Sequence, residues 1–221
     1  MIKINKLNEP QILIDNGSEW TRQHLENIAN GVESSAYLKS RYNHKDIKYQ
    51  IVKETHGKCA YCESKLRHVH HGDIEHIFPK SLDETKRFEW NNLTLACEIC
   101  NQYKSNKDPL LTHIQDPYVS DPEKSFLFAG TLVVGLNTIG ICTESILKLN
   151  RDDLVERRLE RLEKIKLIFQ NTINLSLPQS VRQNIYNDLV TQEADSSSEY
   201  TAMVRSFIMQ IKSNLPKDIV T

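Results

Sequence analysis

The chain has 221 residues, of which 39% are hydrophobic and 26% charged, and its formal net charge is −1. Such a composition is typical of a soluble globular protein with one large domain or two small ones. The near balance of charge does not indicate a polyanion partner, so any basic surface must be local. The chain has no apolar run of the ~18 residues that a membrane span needs, and its start, MIKINKLNEP, lacks the apolar core of a signal peptide. We therefore expect a cytoplasmic protein.

Residues 1–55 are predicted to be a helical region after an extended start. The segment DNGS is interpreted as a turn that makes Ser18 the N-cap of a first helix, because apolar residues follow it near helical spacing. A second helix is predicted from His44 to Thr55, ended by Gly57.

Four of the five cysteines form two pairs, Cys59 with Cys62 and Cys97 with Cys100, each separated by two residues. Disulfides are disfavoured in a reducing cytoplasm, and this spacing matches a tetrahedral four-cysteine zinc site. A redox pair or unrelated buried thiols are the alternatives. Cys142 stands alone and is interpreted as a small core residue.

The stretch GDIEHIFPKS, residues 72–81, places Glu75 directly beside His76. On a regular strand the two side chains would point to opposite faces, and Glu75 would share a face with Asp73. We therefore expect the pair at a strand end, a bulge or a turn, with Pro79 nearby. Asp73 is a weaker candidate as a metal ligand, a solvent-facing carboxylate being the alternative.

The residues that could carry chemistry all lie between the two cysteine pairs or just after them. They are His76, Glu75, Asn92 and Asn101, with Lys80 and Lys104 as candidate phosphate contacts. Neutral imidazole is a general base near pH 7, and carboxylate and amide oxygens suit Mg²⁺ or Mn²⁺. Together they indicate metal-assisted hydrolysis. Because four cysteines leave zinc no open position, the zinc is predicted to be structural and the catalytic metal separate.

Several of these residues have simpler interpretations. Asn92 and Asn101 could serve as turn and helix-cap residues, and Trp90 is interpreted as a core anchor. The segment RHVHH contains His68, His70 and His71, but no matching ligands are seen elsewhere, so an exposed loop is favoured over a second metal site.

The remainder of the chain, residues 111–221, is predicted to be mostly helical. FLFAGTLVVGLN is interpreted as a hairpin strand, and a long amphipathic helix is predicted from an apolar stripe with mixed charges around it. The stripe consists of Val155, Leu159, Leu162 and Phe169. With the chemistry in residues 56–110, the sequence predicts an α+β fold that is mainly helical.

CAYCE, IEHIFPKS and WNNLTLACEICNQYK together resemble the HNH endonuclease signature in its four-cysteine form. The resemblance implies a ββα-metal nuclease core, with His76 as the base that deprotonates water and Asn92 as the residue that orients it. It also implies that Glu75 and Asn101 hold the catalytic metal. Many relatives have Asp at the position of Glu75 and His at that of Asn101.

The start MIKI, the form IEH-x-x-PK and the later TESILKLNRDDLVERR resemble the PtuB-like HNH nucleases of Septu anti-phage defence, which are also effectors of some retrons. The resemblance covers nearly the whole chain. It implies an ABC or SMC-like ATPase partner (PtuA-like), and in retrons a reverse transcriptase with its RNA and DNA. Nucleic acid is the expected substrate, with DNA ranked ahead of RNA.

A different class of function is a zinc-ribbon module that binds nucleic acid or protein without cleavage. The intact set of Glu75, His76, Asn92 and Asn101 argues against it, because a scaffold has no need of those four residues.

Overall fold

A computed structural model of the chain describes residues 1–66, 72–216 and 218–219. Its helices are α1 Gln11–Ala29, α2 Ala36–Lys39, α3 Lys45–Glu54, α4 Glu98–Lys104, α5 Pro109–Thr112, α6 Thr138–Ile146, α7 Asp152–Ile173, α8 Gln179–Asp188 and α9 Thr201–Ile211. Its strands are β1 Asp73–His76, β2 Leu93–Ala96, β3 Phe126–Ala129 and β4 Leu132–Gly135. Short 3-10 turns include Arg41–Asn43, Glu84–Lys86 and Trp90–Asn92. The predicted fold class, mainly helical with small sheets, is confirmed.

The helix α1 begins at Gln11, so the prediction that DNGS forms a turn and that Ser18 caps the helix is wrong. Leu13, Gly17, Trp20 and His24 are its buried residues, and they follow one another at helical spacing. This stripe packs into the core, and the packing outweighs the turn preference of the Asp-Asn-Gly-Ser tetrapeptide. Gly17 lies within the stripe, and a Cβ there would meet Leu13 only at 3.7 Å.

The second predicted helix is confirmed as α3. His44 is its N-cap and accepts a hydrogen bond from the amide of Asp46 at 3.3 Å. Ile47 and Ile51 are fully buried on its inner face. Gly57 follows the helix with a φ of 69°, a left-handed conformation that glycine adopts without strain.

Two separate antiparallel strand pairs are formed in the described residues. In the first, Glu75 of β1 lies opposite Thr94 of β2, and His76 lies opposite Leu93. α4 follows β2 and packs against β1, which gives a ββα arrangement. The second pair, β3 and β4, lies in the stretch predicted as a hairpin strand, and that stretch supplies both strands of the hairpin.

The long helix α7 was predicted correctly, but its buried face was not. Leu154, Arg158, Ile165 and Thr172 are buried, whereas Leu159 is 50% exposed. Arg158 is buried because its guanidinium donates to the carbonyls of Leu149 and Thr131 at 2.8 and 3.2 Å. Because its charge is hydrogen-bonded, Arg158 can occupy a core position, whereas the pattern of apolar residues had placed the neighbouring Leu159 there.

Cys142, predicted to be a small core residue, is only half-buried in α6. Gly140 and Thr143 form the buried face of that helix, and Cys142 lies beside them. Trp90 is buried as predicted, and its indole donates to the carbonyl of Leu7 at 2.8 Å.

One hydrophobic cluster extends through the regions predicted as 1–55, 56–110 and 111–221. Met1 and Leu13, the strand residue Leu93, and Tyr200 and Met203 near α9 all belong to it. The N-terminal and C-terminal regions therefore both pack against the ββα unit. No helix in the described part of the chain combines the length and apolar character of a membrane span.

Candidate active site

The four paired cysteines come together behind the ββα unit. Their sulfur atoms all lie within 4.8 Å of one another, and the Sγ atoms of Cys62 and Cys97 are 3.9 Å apart. Tetrahedral zinc with Zn–S bonds of about 2.3 Å requires sulfur atoms about 3.8 Å apart. The cluster therefore fits a zinc ion, as the spacing of Cys59, Cys62, Cys97 and Cys100 predicts.

This cluster positions α4, which carries Asn101 and Lys104, against β2. Cys97 directly follows β2 and is the N-cap of α4, and its sulfur accepts from the amide of Cys100 at 3.4 Å. The amide of Ala60 in the first knuckle donates to the carbonyl of Leu95 in β2 at 2.8 Å. Zinc bound here would fix the start of α4 against the strand pair.

Glu75 and Lys104 form a buried ion pair between β1 and α4. The Lys104 ammonium lies 2.6 Å from Oε1 of Glu75 and donates to the carbonyl of His76 at 2.8 Å. Glu75 is 6% exposed, and Lys104 is 1% exposed. Burial raises the pKa of Glu75, and the charge of Lys104 opposes that increase.

The burial of Lys104 argues against its predicted role as a phosphate contact. Its ammonium is already held by a carboxylate and a carbonyl in the interior. Asn101 and Lys104 are three positions apart on α4 and share the face that turns toward β1, since both residues contact that strand. Lys104 instead positions Glu75 from the inner side of that face.

His76 is the last residue of β1, at the strand end where the acid–histidine pair was expected. Its Nε2 lies 3.0 Å from the carbonyl oxygen of Arg87, so Nε2 carries the proton and donates. The remaining nitrogen, Nδ1, lies 3.5 Å from the ammonium of Lys80. The ring packs edge-on against Tyr42, with centroids 4.6 Å apart.

The environment of His76 keeps its imidazole neutral. Burial and the nearby charge of Lys80 lower the pKa of His76 to about 3. Because Nε2 is fixed as a donor, the lone pair at Nδ1 is the basic position of this ring. At neutral pH this nitrogen is therefore unprotonated, and its lone pair lies on the side of Lys80 and Tyr42.

Asn92 is buried, and its side chain hydrogen-bonds to main-chain atoms of the loop that follows β1. Its Oδ1 accepts from the amide of Phe78 at 2.7 Å, and its Nδ2 donates to the carbonyls of Phe78 and Lys86 at 2.9 and 3.1 Å. The next carbonyl after Lys86, that of Arg87, accepts from His76. Asn92 thus acts on the imidazole through the shape of the loop, by bonding main-chain atoms next to the acceptor.

Asn101 of α4 is held by Asp73 of β1. The amide Nδ2 of Asn101 donates to Oδ2 of Asp73 at 3.2 Å. An anionic carboxylate accepts only, so this bond directs the NH₂ group toward Asp73 and leaves the amide oxygen free. Asp73, the weaker candidate from the sequence, thus sets the orientation of a predicted metal ligand.

Glu75 and Asn101 line a single open cleft of about 430 Å³. The other lining residues are Tyr42, Asn43, Lys48, Gly72, Asp73, Ile74 and Lys80. Carboxylate and amide oxygens are hard donors, so this donor set fits Mg²⁺ or Mn²⁺ with water completing the shell. Of the two predicted phosphate contacts, Lys80 is in the cleft.

A second cleft, of about 500 Å³, lies between the N-terminal residues and the first knuckle. The acidic groups that line it are already engaged. Glu54 pairs with Lys6 at 2.9 Å, and Glu63 pairs with Lys58 at 3.5 Å. These contacts are structural, and the smaller cleft is the one lined by the predicted metal ligands Glu75 and Asn101.

Tyr42, Asn43 and Lys48 are site residues that the sequence reasoning missed. They lie 25 or more positions before Glu75. They reach the cleft because Tyr42 packs against His76 and because α3, which packs against β2, places Lys48 beside Gly72. No local pattern signals such a contact. The three histidines of the RHVHH segment lie outside the described residues.

Comparison with known proteins gives a consistent result. Residues 59–107 match a family model described as HNH endonuclease. The chain is 28% identical to the Septu protein PtuB of Bacillus thuringiensis, covering 94% of this chain and 82% of the relative. It is 22% identical to the Septu protein PtuB of Bacillus mycoides (strain KBAB4), covering 74% of this chain and 73% of that relative.

These matches confirm the predicted HNH nuclease with a PtuB-like sequence, and they favour an enzyme over a zinc-ribbon binding module. The family match contains the four cysteines and Glu75, His76, Asn92 and Asn101. Residues 59–107 therefore carry the HNH endonuclease signature, and the matches support a nuclease, an enzyme that acts on nucleic acid.

Proposed function

We propose that this HNH endonuclease hydrolyses phosphodiester bonds with His76 as the general base and with Glu75 and Asn101 as ligands of a catalytic Mg²⁺ or Mn²⁺. The observation that supports the proposal is that both proposed ligands line one cleft and that the His76 ring contacts two other residues of its lining. Glu75 and Asn101 line it, and Nδ1 of His76 lies against Lys80, which also lines it.

The imidazole is prepared for proton abstraction by its surroundings. The carbonyl of Arg87 holds the Nε2 proton, so Nδ1 can take a proton from water as the water oxygen attacks phosphorus. The bond from phosphorus to the leaving sugar oxygen then breaks. A metal ion bound in the cleft would supply charge stabilisation for the phosphate and the leaving oxygen.

Three further residues position the proposed ligands and base. Lys104 holds one oxygen of Glu75, Asp73 orients the amide of Asn101, and Asn92 shapes the loop whose carbonyl fixes His76. Lys80 lies at the cleft with a free positive charge, and a substrate phosphate would attract it away from Nδ1. The four-cysteine cluster anchors α4 and takes no part in chemistry.

Substitution of His76 tests the proposal. His76→Ala should reduce phosphodiester cleavage by roughly 10²- to 10⁴-fold, the usual contribution of a general base. Because His76 is buried and hydrogen-bonded, the alanine variant should also lose roughly 1–3 kcal/mol of stability. His76→Asn keeps a polar group in the site and should lose activity with a smaller loss of stability.

The matched control is His56→Asn, at an exposed histidine that lines other clefts. His56 has a φ of 54°, which asparagine tolerates. Zinc content and melting temperature are measured for each variant beside cleavage. Cleavage by His76→Asn at the wild-type rate would show that His76 is not the base.

We also propose that the protein acts in anti-phage defence together with an ATPase subunit of the ABC or SMC-like type. The similarity to Septu protein PtuB supports this role. Charge supports the need for a partner, since residues 51–107 contain nine Lys or Arg and eight Asp or Glu. With so small an excess of positive charge, we expect this segment alone to bind a phosphate backbone weakly.

Co-purification with the ATPase from the neighbouring reading frame tests this association. We expect weak cleavage by the chain alone and stronger cleavage in the complex. Robust cleavage by the isolated chain at physiological salt, unchanged by the ATPase, would contradict the proposed dependence.

A further inference from the structure

The catalytic cleft has one wall from outside the segment that matches the HNH family. Tyr42, Asn43 and Lys48 line the cleft with Glu75 and Asn101, yet all three precede residue 59, where the match begins. We call these three residues the N-terminal wall. The HNH segment therefore supplies the proposed reacting groups, and the preceding helical region supplies part of the surface that a substrate meets.

Lys48 is the cation of the N-terminal wall. It lies on α3, is half-buried, and its ammonium donates to the carbonyl of Gly72, immediately before β1. Burial lowers the pKa of Lys48, and the charge of Asp73 opposes that decrease. An ammonium has three donors, so one carbonyl leaves two for a ligand.

The other two members of the wall add a neutral donor and an aromatic ring. Asn43 is exposed at the end of the 3-10 turn Arg41–Asn43, and its amide can donate to a phosphate or sugar oxygen. The ring of Tyr42 packs against His76, and the Lys80 ammonium lies 5.2 Å from the ring centroid. The N-terminal wall therefore extends from Tyr42, which contacts His76, to Lys48 on α3.

The charges of the cleft suit a monoanion. Lys48 and Lys80 line it together with Asp73 and Glu75, and Glu75 is paired with the buried Lys104. The three lysines outnumber the two carboxylates by one, before any metal charge is added. A phosphodiester linkage carries one negative charge, and lysine and amide donors are common phosphate contacts.

We propose that the N-terminal wall binds the sugar-phosphate backbone beside the scissile bond, with Lys48 contacting a phosphate and Asn43 donating a neutral hydrogen bond. The inference rests on the proposed function, because it assigns the same cleft to the substrate. It assigns a binding role to residues that precede the HNH segment, and the contacts it names are to the backbone, which is shared by DNA and RNA.

Binding without cleavage tests the wall. The zinc-loaded full chain is titrated onto a fluorescent single-stranded oligonucleotide, in DNA and RNA forms, at several salt concentrations and without added magnesium or manganese. Lys48→Gln should weaken binding about threefold to tenfold and reduce the slope of log K against log salt by about 0.7, the value for one lost phosphate contact. Asn43→Ala should weaken binding about twofold to tenfold with the slope unchanged.

Lys53→Gln is the matched control, since Lys53 is exposed on the same helix but lines other clefts. It should leave the slope at its wild-type value. Wild-type binding by both Lys48→Gln and Asn43→Ala, or an equal loss of slope in Lys53→Gln, would overturn the proposal. Asn43 is exposed, so its variant reports on the wall even if Lys48→Gln disturbs α3.

The outcomes separate this inference from the proposed function. Oligonucleotide binding here requires neither His76 nor the catalytic metal. Suppose that His76→Asn cleaved like the wild type while Lys48→Gln bound more weakly and with the expected smaller salt slope. The assignment of His76 as the base would then fail, and the binding role of the N-terminal wall would stand. If His76→Asn were inactive and the wall variants bound normally, the wall would fail and the base would stand.

Discussion

The hydrogen bond between Asp73 and Asn101 shows how one residue can decide what another offers to a metal. An asparagine amide presents nitrogen or oxygen depending on its orientation, and only the oxygen is a ligand for Mg²⁺. Asp73 accepts from Nδ2 at 3.2 Å and so selects the orientation with the oxygen free. Strand geometry explains the arrangement, because Asp73 and Glu75 are two apart on β1 and share a face.

Asp73→Ala should therefore weaken binding of the catalytic metal without removing a proposed ligand. Loss of one orienting hydrogen bond of about 1 kcal/mol predicts a several-fold increase in the Mg²⁺ concentration needed for half-maximal cleavage. Cleavage at saturating Mg²⁺ should approach the wild-type rate. Manganese binding, followed by electron paramagnetic resonance, should weaken by a similar factor and provides a measurement independent of turnover.

Asp83→Ala is the control, because Asp83 is half-buried in the loop after β1 and accepts from Thr85 there, outside the cleft. It should leave the metal titration unchanged. A metal requirement in Asp73→Ala equal to that of the wild type would mean that Asn101 is held in place by other contacts.

At the scale of helices and strands, local pattern predicted existence and type better than boundaries or faces. The helix α3 and the hairpin of β3 and β4 were predictable because apolar spacing and turn residues agree there. The start of α1 was predicted wrongly because packing of the helix outweighs the turn preference of DNGS. The buried face of α7 was predicted wrongly because the Arg158 guanidinium hydrogen-bonds to main-chain carbonyls in the interior. These failures depend on tertiary contacts that a local window cannot contain.

The candidate site also has one part that the sequence predicts and another part that only the fold explains. Its proposed ligands and base lie between the two cysteine pairs or just after them, and residue type and spacing alone suggest them. The burial of Lys104 depends on the packing of α4 against β1, and the position of Lys48 in the cleft depends on the packing of α3 against β2. Those positions follow from the fold and from no signal in the nearby sequence.

The start of α7 contacts the cysteine cluster directly. Arg151 immediately precedes the helix, and its Nη1 lies 3.8 Å from Sγ of Cys100. Four thiolates around zinc carry a net charge of −2, so a nearby guanidinium stabilises the loaded site. Arg151→Met should therefore lower zinc affinity by about 10- to 100-fold, as is typical for a residue that supports metal ligands.

Competition with a chromogenic chelator measures this effect, and the melting temperature of each variant is recorded beside it. Arg157→Met is the control, since Arg157 lies on the same helix with its side chain 68% exposed and paired to Glu160. Equal zinc affinity in the wild type and Arg151→Met would show that the arginine is only a packing contact.

For the whole molecule, the two proposed metals differ in how they exchange with solvent. Cys59, Cys62 and Cys100 are buried, whereas Glu75 and Asn101 line an open cleft. Brief treatment with EDTA should therefore abolish cleavage while zinc content and melting temperature stay unchanged, and added Mg²⁺ should restore activity. If activity and zinc were lost together at the same rate, one metal would serve both roles.

The first cysteine knuckle is bonded to residues made much later in synthesis. The Lys58 ammonium donates to the carbonyl of Ser198 at 2.8 Å across 140 positions, and the hydroxyls of Ser64 and Tyr200 are 2.9 Å apart. Contacts of such separation form slowly because a long loop must close first. On the ribosome, the HNH segment is therefore translated well before these supporting contacts exist, and they form only after Ser198 and Tyr200 have been made.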